Sequence, residues 1–158
     1  MTTPRIRPAT PADVPALVAL MAAFYAESDY PLPADRARAA FAALLADGRL
    51  GGVWIAGDDG ADPDGYAVLT VGYSMEYGGM RGFVDDLFVR PAARGAGVAS
   101  ALLRAARQEC VARGVRALHV EVGPENGVAL RTYARAGFAE SGHLLLTLPL
   151  ADPVHVAG

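Results

Sequence analysis

A single cysteine, Cys110, is all the sequence holds, so an intrachain disulfide framework and a CxxC metal knuckle are both excluded. Inside a helical stretch it reads as a small buried hydrophobe. Lys and Arg total 14 against 17 Asp and Glu, giving a net charge of -3 and a pI near 5.5. They never gather into a long basic run, so a nucleic-acid partner has no electrostatic support. No apolar run approaches the roughly 20 residues that a membrane span requires. The opening MTTPRIRPATPADVPALVALMAAF places Pro11, Asp13 and Pro15 ahead of its apolar centre and has no small-residue cleavage pattern, unlike a signal peptide. No membrane, nucleic-acid or metal partner is expected, and the expected location is cytoplasmic.

What is present is apolar: 53% of residues, against 20% charged, a balance that suits a packed globular chain. At 158 residues one core is the default, burying roughly 68–70% of the surface the unfolded chain exposes. One domain over residues 1–150 is expected, with 151–158 as a tail.

The spacing of apolar residues sets the element order. Residues 4–8 read as a short edge strand. Thr10, Pro11 and Asp13 then supply a cap, a first-turn proline and an acid reaching back, and Val14, Leu17, Val18, Met21 and Phe24 follow the three-four spacing of a helix to about Ala26. A second helix spans about Ala34 to Ala46. GVWIAGD, YAVLTVGYSMEY and FVDDLFV read as an antiparallel meander. Thereafter the pattern is strand, helix from Val98 to about Arg113, and strand RALHVEV, a parallel crossover. NGVALRTYARAGF forms a short helix ending at Gly137, and GHLLLTLPL a last strand.

Between the strand ending at Val89 and the helix from Val98 lies RPAARGAG. The first amides of a helix lack intrahelical partners, and its dipole turns the positive end toward them, which makes an anion site. Gly95 and Gly97 permit backbone angles a side chain forbids, and Arg94 adds a forked cation that matches phosphate. A plain connector is the simpler alternative. A dinucleotide (NAD(P)) site is another: Gly95 and Gly97 give GxG, and Glu121 closes the next strand where a ribose-binding acid is expected. Against it, the glycines sit past the strand end, Ser100 replaces the third glycine, and one crossover is too few for a doubly wound sheet.

Together, VDDLFVRPAARGAGVASALL and ENGVALRTYARAGF resemble the GNAT superfamily of N-acetyltransferases. The first is similar to that family's Q/RxxGxG/A loop through Arg94, Gly97 and Ala99. The second is similar to its NxxAxxxYxxxGF segment through Asn126, Ala129, Tyr133, Gly137 and Phe138. The resemblance implies an α/β (α+β) fold in one domain: a mixed, mostly antiparallel sheet with flanking helices and a splayed central parallel strand pair. It also implies acetyl-coenzyme A as cosubstrate, with no metal, and is compatible with a homodimer. The amides of Arg94, Gly95, Ala96, Gly97, Val98 and Ala99 would cradle the pyrophosphate. The backbone of Leu87, Phe88 and Val89 would pair with the pantetheine arm, Asn126 and Ala129 would border the cofactor, and Tyr133 would lie near the sulfur.

Acetyl transfer needs a neutral amine, whereas an alkylammonium like that of lysine has a pKa of about 10.4. A carboxylate is the usual proton acceptor, and Asp85 and Asp86 stand side by side in an apolar strand. Alternation puts them on opposite faces unless the strand bulges there. The resemblance implies the proton relay for Asp85, with Asp86 second. Tyr133 would return a proton to the leaving thiolate, uphill by about 2 kcal/mol from the ordinary pKa values, and the Val89 amide would face the oxyanion. Glu121 and His119 share a strand face that borders either the acceptor or solvent. Glu76, with Tyr73 or Tyr77 as a wall, either attracts a cationic amine or forms a plain hairpin end. The expected activity is direct transfer to a primary amine of a small, cationic acceptor through a tetrahedral intermediate. A non-catalytic acyl-coenzyme A sensor and an NAD(P)-binding protein are the alternatives.

Overall fold

Thr10 and Asp13 open the first helical turn as their spacing predicts. The Asp13 carboxylate accepts the Thr10 amide at 2.7 Å, and the Asp13 amide returns a bond to the Thr10 carbonyl at 2.9 Å. The turn Pro11–Asp13 leads into helix α1, Val14–Ala26. In this computed structural model residues 2–151 are described. Most of the expected tail, residues 152–158, lies outside the described residues. Helix α2 spans Ala34–Ala46.

Among the described residues five strands follow one another across a single sheet: β1 Ile6–Pro8, β2 Gly51–Ala56, β3 Gly65–Ser74, β4 Gly79–Val89 and β5 Ala117–Val120. Pairing is antiparallel from β1 to β4 and parallel between β4 and β5. Helix α3, Val98–Ala112, makes the crossover, and α4, Gly127–Arg135, follows β5. The fold class implied by the sequence is the one observed.

Alternation along the strands sorts side chains onto two faces. Val53, Ile55, Tyr66, Val68 and Phe88 pack against α1 and α2 with Leu17, Leu20 and Phe41. Trp54, Ala56, Ala67, Leu69 and Val89 meet α3 through Val98, Leu102, Ala106 and Cys110. Each fully buried leucine in these layers contributes roughly 1.5–3 kcal/mol.

Two irregularities position the site. The β3–β4 register pairs Val68 with Asp86 but Leu69 with Val84, leaving Asp85 without a cross-strand partner. This is a bulge, and it breaks the alternation that would have sent the two acids to opposite faces. The β4–β5 ladder pairs Arg81 to Val84 with Ala117 to Val120 and stops there. From Asp85 onward β4 has no strand neighbour on that side among the described residues, which is the expected splay.

One expectation is corrected. Residues 142–150 form no strand, and every residue from Ala139 to Ala151 is exposed. Apolar alternation favours a strand only where a ladder partner takes up its amides and carbonyls, and this segment has none among the described residues.

Candidate active site

The loop after β4 is held open by two glycines. Gly95 and Gly97 both sit at φ +80, the left-handed region that costs other residues about 1–2 kcal/mol. Gly97 is the N-cap of α3. Among the described backbone bonds, none is donated by the amides of Gly95 to Ser100. Six consecutive amides at a helix N-terminus therefore remain available to an anion.

Arg94 is anchored more firmly than its motif suggested. Its Nε donates to the Val89 carbonyl at 2.9 Å, one terminal nitrogen donates to Glu27 at 2.6 Å, and the guanidinium stands 5.8 Å from the centre of the Phe88 ring. Two of its five donors are thus taken and three remain. The arginine ties the loop to the end of α1 while keeping a cationic face.

Asn126 also has a structural duty. It is the N-cap of α4, where its side-chain oxygen accepts the Ala129 amide at 3.1 Å; its side-chain nitrogen Nδ2 has no partner among the described bonds, while its backbone amide donates to the Gly123 carbonyl at 3.0 Å. Tyr133, on the same helix, is half-buried and meets Phe138 edge to face at 5.6 Å.

These parts line one cleft of about 650 Å³. Leu87, Phe88, Val89, Arg94, Gly95, Gly97, Val98, Ala99, Asn126, Ala129 and Tyr133 all border it. Of the residues expected at a cofactor, only Ala96 is not on its wall. Phe24, Glu27 and Ser28, at the end of α1, complete it; nothing in their local sequence marked them.

A second cleft, about 830 Å³, opens between the α1–α2 layer and the sheet. Asp85, Asp86 and Glu121 share its wall with Tyr25, Thr70 and Phe83, so the bulge brings both acids to one side. Glu76 and Tyr73 do not join them. They are exposed on the β3–β4 hairpin, at the far end of β4 from the bulge. Tyr77 lies beside His119 at 5.7 Å instead.

Asp86 is the pivot between the clefts. It accepts the Tyr66 phenol at 2.9 Å, and its charge acts on Tyr25 in the second cleft and on Tyr133 in the first. Burial drives the Asp86 carboxyl up to about 6, against the Tyr66 hydrogen bond and with help from Asp85. Asp85 is also raised, by burial, with a Thr70 hydrogen bond opposing; more of its surface reaches solvent. Tyr133 is raised by burial and then by Asp86, which keeps its proton on. The cleft therefore makes this phenol a weaker acid rather than a stronger one. A thiolate formed beside it would be destabilised by the same desolvation.

The family model of the acetyltransferase (GNAT) family matches residues 15–138. The chain belongs to the GNAT acetyltransferase family. An integron cassette protein from the mobile metagenome of Cole Harbour Salt Marsh is 50% identical, with 96% of this chain and 93% of that one covered and a TM-score of 0.86. A similar structure from Arthrobacter sp. FB24, described as a putative acetyltransferase, is 32% identical over 96% of this chain and 95% of that one, with a TM-score of 0.76. The aminoglycoside acetyltransferase AAC(6')-Iy, solved with the bisubstrate analog CoA-S-monomethyl-acetylneamine, shares the fold at 21% identity, over 95% of this chain and all of that one (100%), with a TM-score of 0.81. As a GNAT acetyltransferase the chain is an acyltransferase that uses acetyl-coenzyme A. Among its described residues no group of acids, histidines and cysteine could hold a metal ion, and no helix is long and apolar enough to cross a membrane.

Proposed function

We propose that this GNAT acetyltransferase moves the acetyl group of acetyl-coenzyme A directly to the primary amine of a small, cationic acceptor, with Asp86 rather than Asp85 as the proton acceptor. The observation that carries the reading is the parting of β4 from β5 at Asp85, between a cleft walled by unpaired amides and one walled by carboxylates. The free amides from Gly95 to Ser100 and the open face of Arg94 suit a pyrophosphate. The unpaired edge of Leu87 to Val89 offers backbone donors and acceptors to an amide-rich arm. When bound, the cosubstrate supplies the acetyl group as a thioester.

The chain's own groups then account for the protons. The amine arrives protonated, and Asp86, with its carboxyl near 6, is ionised at neutral pH yet basic enough to take a proton directly or through water. Tyr66 holds that carboxylate in place. Tyr133 returns a proton to the departing sulfur. The Val89 amide, at the splay, is our candidate donor to the oxyanion.

Three carboxylates in one cleft favour a cationic acceptor over a neutral or acidic one, by complementarity of charge. The bisubstrate analog of AAC(6')-Iy supports the same class. An amine panel with thiol release from acetyl-coenzyme A as the readout tests the proposal. Polyamines and aminosugars are expected to turn over faster than neutral amino acids. A variant Tyr133→Phe is expected to bind acetyl-coenzyme A normally and lose most of its rate. Normal binding with no amine-dependent release in the wild type would instead make the chain an acyl-coenzyme A sensor.

A further inference from the structure

The second cleft carries its negative charge at one end. The parallel ladder pairs Val84 with Val120 and stops, so the next residue of each strand, Asp85 and Glu121, stands just past its end. Asp86 follows the bulge, opposite Val68. The three carboxylates on the wall of the cleft therefore gather where β4 parts from β5. The Thr70 hydroxyl is engaged there by its hydrogen bond to Asp85, and the charges of both aspartates act on Tyr25.

The other end is apolar. Val71 lies three residues along β3 from Val68, about 10 Å at the rise of a strand. Its amide donates to the Leu50 carbonyl at 3.0 Å, which fixes Leu50 beside it, and Leu44 and Phe83 share the same wall. Leu50 is 47% exposed, so it forms the rim of the cleft rather than part of the core. Among the described residues the only ionisable groups on the wall are Tyr25 and the three carboxylates. Two positions before Phe83 and on the same strand face, Arg81 holds its guanidinium 5.3 Å from the centre of that ring. The surroundings thus change from negative at Asp86, through apolar, to positive at Arg81.

This gradient separates acceptors with one cation from acceptors with two. When a primary amine is set against Asp86, the rest of the acceptor lies along the wall toward Leu44, Leu50 and Phe83. An apolar body gains about fourfold in binding there for each methylene removed from water. A second ammonium at that place gives up its hydration with no carboxylate to replace it, and it meets Arg81 with the same sign of charge. We infer that the acceptor is a monoamine carrying an apolar body, aliphatic or aromatic, rather than a polyamine, and that Leu50 at the rim sets this preference. The inference rests on the reading of the second cleft as the acceptor site and divides the cationic class proposed above.

Hexylamine and hexamethylenediamine test it, since they share one carbon chain and differ by an ammonium at its far end. The wild type is expected to acetylate hexylamine with a kcat/KM at least about tenfold higher than the diamine, the cost of stranding one polar group. Leu50→Asp puts a carboxylate at the apolar end and is expected to level or reverse that ratio, whereas Leu50→Met keeps it. Leu50 is not on the wall of the cofactor cleft, so unchanged affinity for acetyl-coenzyme A shows that each variant is folded. Calorimetric titration of the two amines into the wild type saturated with coenzyme A reports their order without turnover. Tighter hexylamine binding with no transfer overturns the proposed reaction and leaves the inference standing. A diamine that binds and reacts as well as hexylamine overturns the inference while the reaction stands. Binding of neither amine, or a ratio that Leu50→Asp leaves unmoved, overturns it as well.

Discussion

Tyr66 donates its phenol hydrogen to Oδ2 of Asp86 across 2.9 Å, linking β3 to β4 beside the bulge at Asp85. Tyr66 is fully buried, and a buried phenol needs an acceptor; Asp86 is that acceptor and also stands on the wall of the second cleft. With the carboxyl at about 6, kcat/KM is expected to fall on the acid side around that pH, because only the ionised form takes a proton. Tyr66→Phe removes the bond that lowers this pKa, so the acid limb should move to higher pH while the KM for acetyl-coenzyme A stays unchanged. An unmoved limb would separate Asp86 from the observed base.

Asp86→Asn should reduce kcat by about 10²–10³, within the range of general base catalysis, and Asp85→Asn by less than tenfold. Stability should change the other way. A folded-state pKa raised from 3.8 to about 6 favours the protonated carboxyl, so its stabilising effect is complete below 3.8 and lost as pH rises through about 6. The neutral amide avoids that loss. Thermal melts at pH 8 are expected to place Asp86→Asn above the wild type. A lower melting temperature at that pH would mean the carboxylate is held by contacts that outweigh its burial.

Gly97→Ala puts a side chain at φ +80 in open space, so only backbone strain opposes it, about 1–2 kcal/mol. The loop relieves that strain by turning its amides away from the cleft. Calorimetric titration should show coenzyme A affinity reduced by roughly tenfold, which equals about 1.4 kcal/mol, with the melting temperature of the free protein little altered. Unchanged affinity would show that the cosubstrate does not use these amides.

The resemblance to the GNAT family rested on Arg94, Gly97, Asn126 and Tyr133, and these do border one cleft. Helix α3 was equally legible, since Val98, Leu102, Ala106 and Cys110 recur at its own period and all reach the core. What stayed hidden depends on pairing between distant segments. The bulge is a property of β3 and β4 together, so alternation within β4 alone separated two acids that the structure brings to the same cleft. Glu27 reaches Arg94 from 67 positions away, and Tyr66 reaches Asp86 from 20. The one available signal was a tyrosine amid the apolar run of β3, whose hydroxyl had to find an acceptor. The segment after α4 shows the opposite case: Leu144 to Leu150 carry a strand's pattern, but a pattern supplies no ladder partner.

Cys110→Ala is expected to leave turnover within about twofold, since the thiol is buried against α3's apolar neighbours and raised by that burial, the opposite of an activated nucleophile. Steady-state rates and a melt separate the effects. A lost methyl-sized volume should cost about 1 kcal/mol, whereas loss of rate in a folded variant would replace direct attack with an enzyme-bound intermediate.

At the other end of the chain, Arg7 holds Asp13 through two 2.8 Å bonds, and with the Thr10 amide they lower the Asp13 carboxyl from 3.8 to about 2. That stabilisation is present above 3.8 and is lost as pH falls through about 2. Asp13→Ala should cost about 1–2 kcal/mol in denaturant unfolding at pH 7. The difference from wild type should shrink as the pH is lowered toward 2; a constant difference would assign the loss to packing.

The most direct test of the central claim is thiol release from acetyl-coenzyme A as cationic amines are added. The chain contains no lysine, so no lysine of its own can accept the acetyl group and obscure the count. Release is expected to saturate with acceptor, to give one acetylated amine per thiol, and to fall by about two or more orders of magnitude in Asp86→Asn, as loss of a general base implies. Release that no amine accelerates, or that survives intact in Asp86→Asn, would contradict that claim.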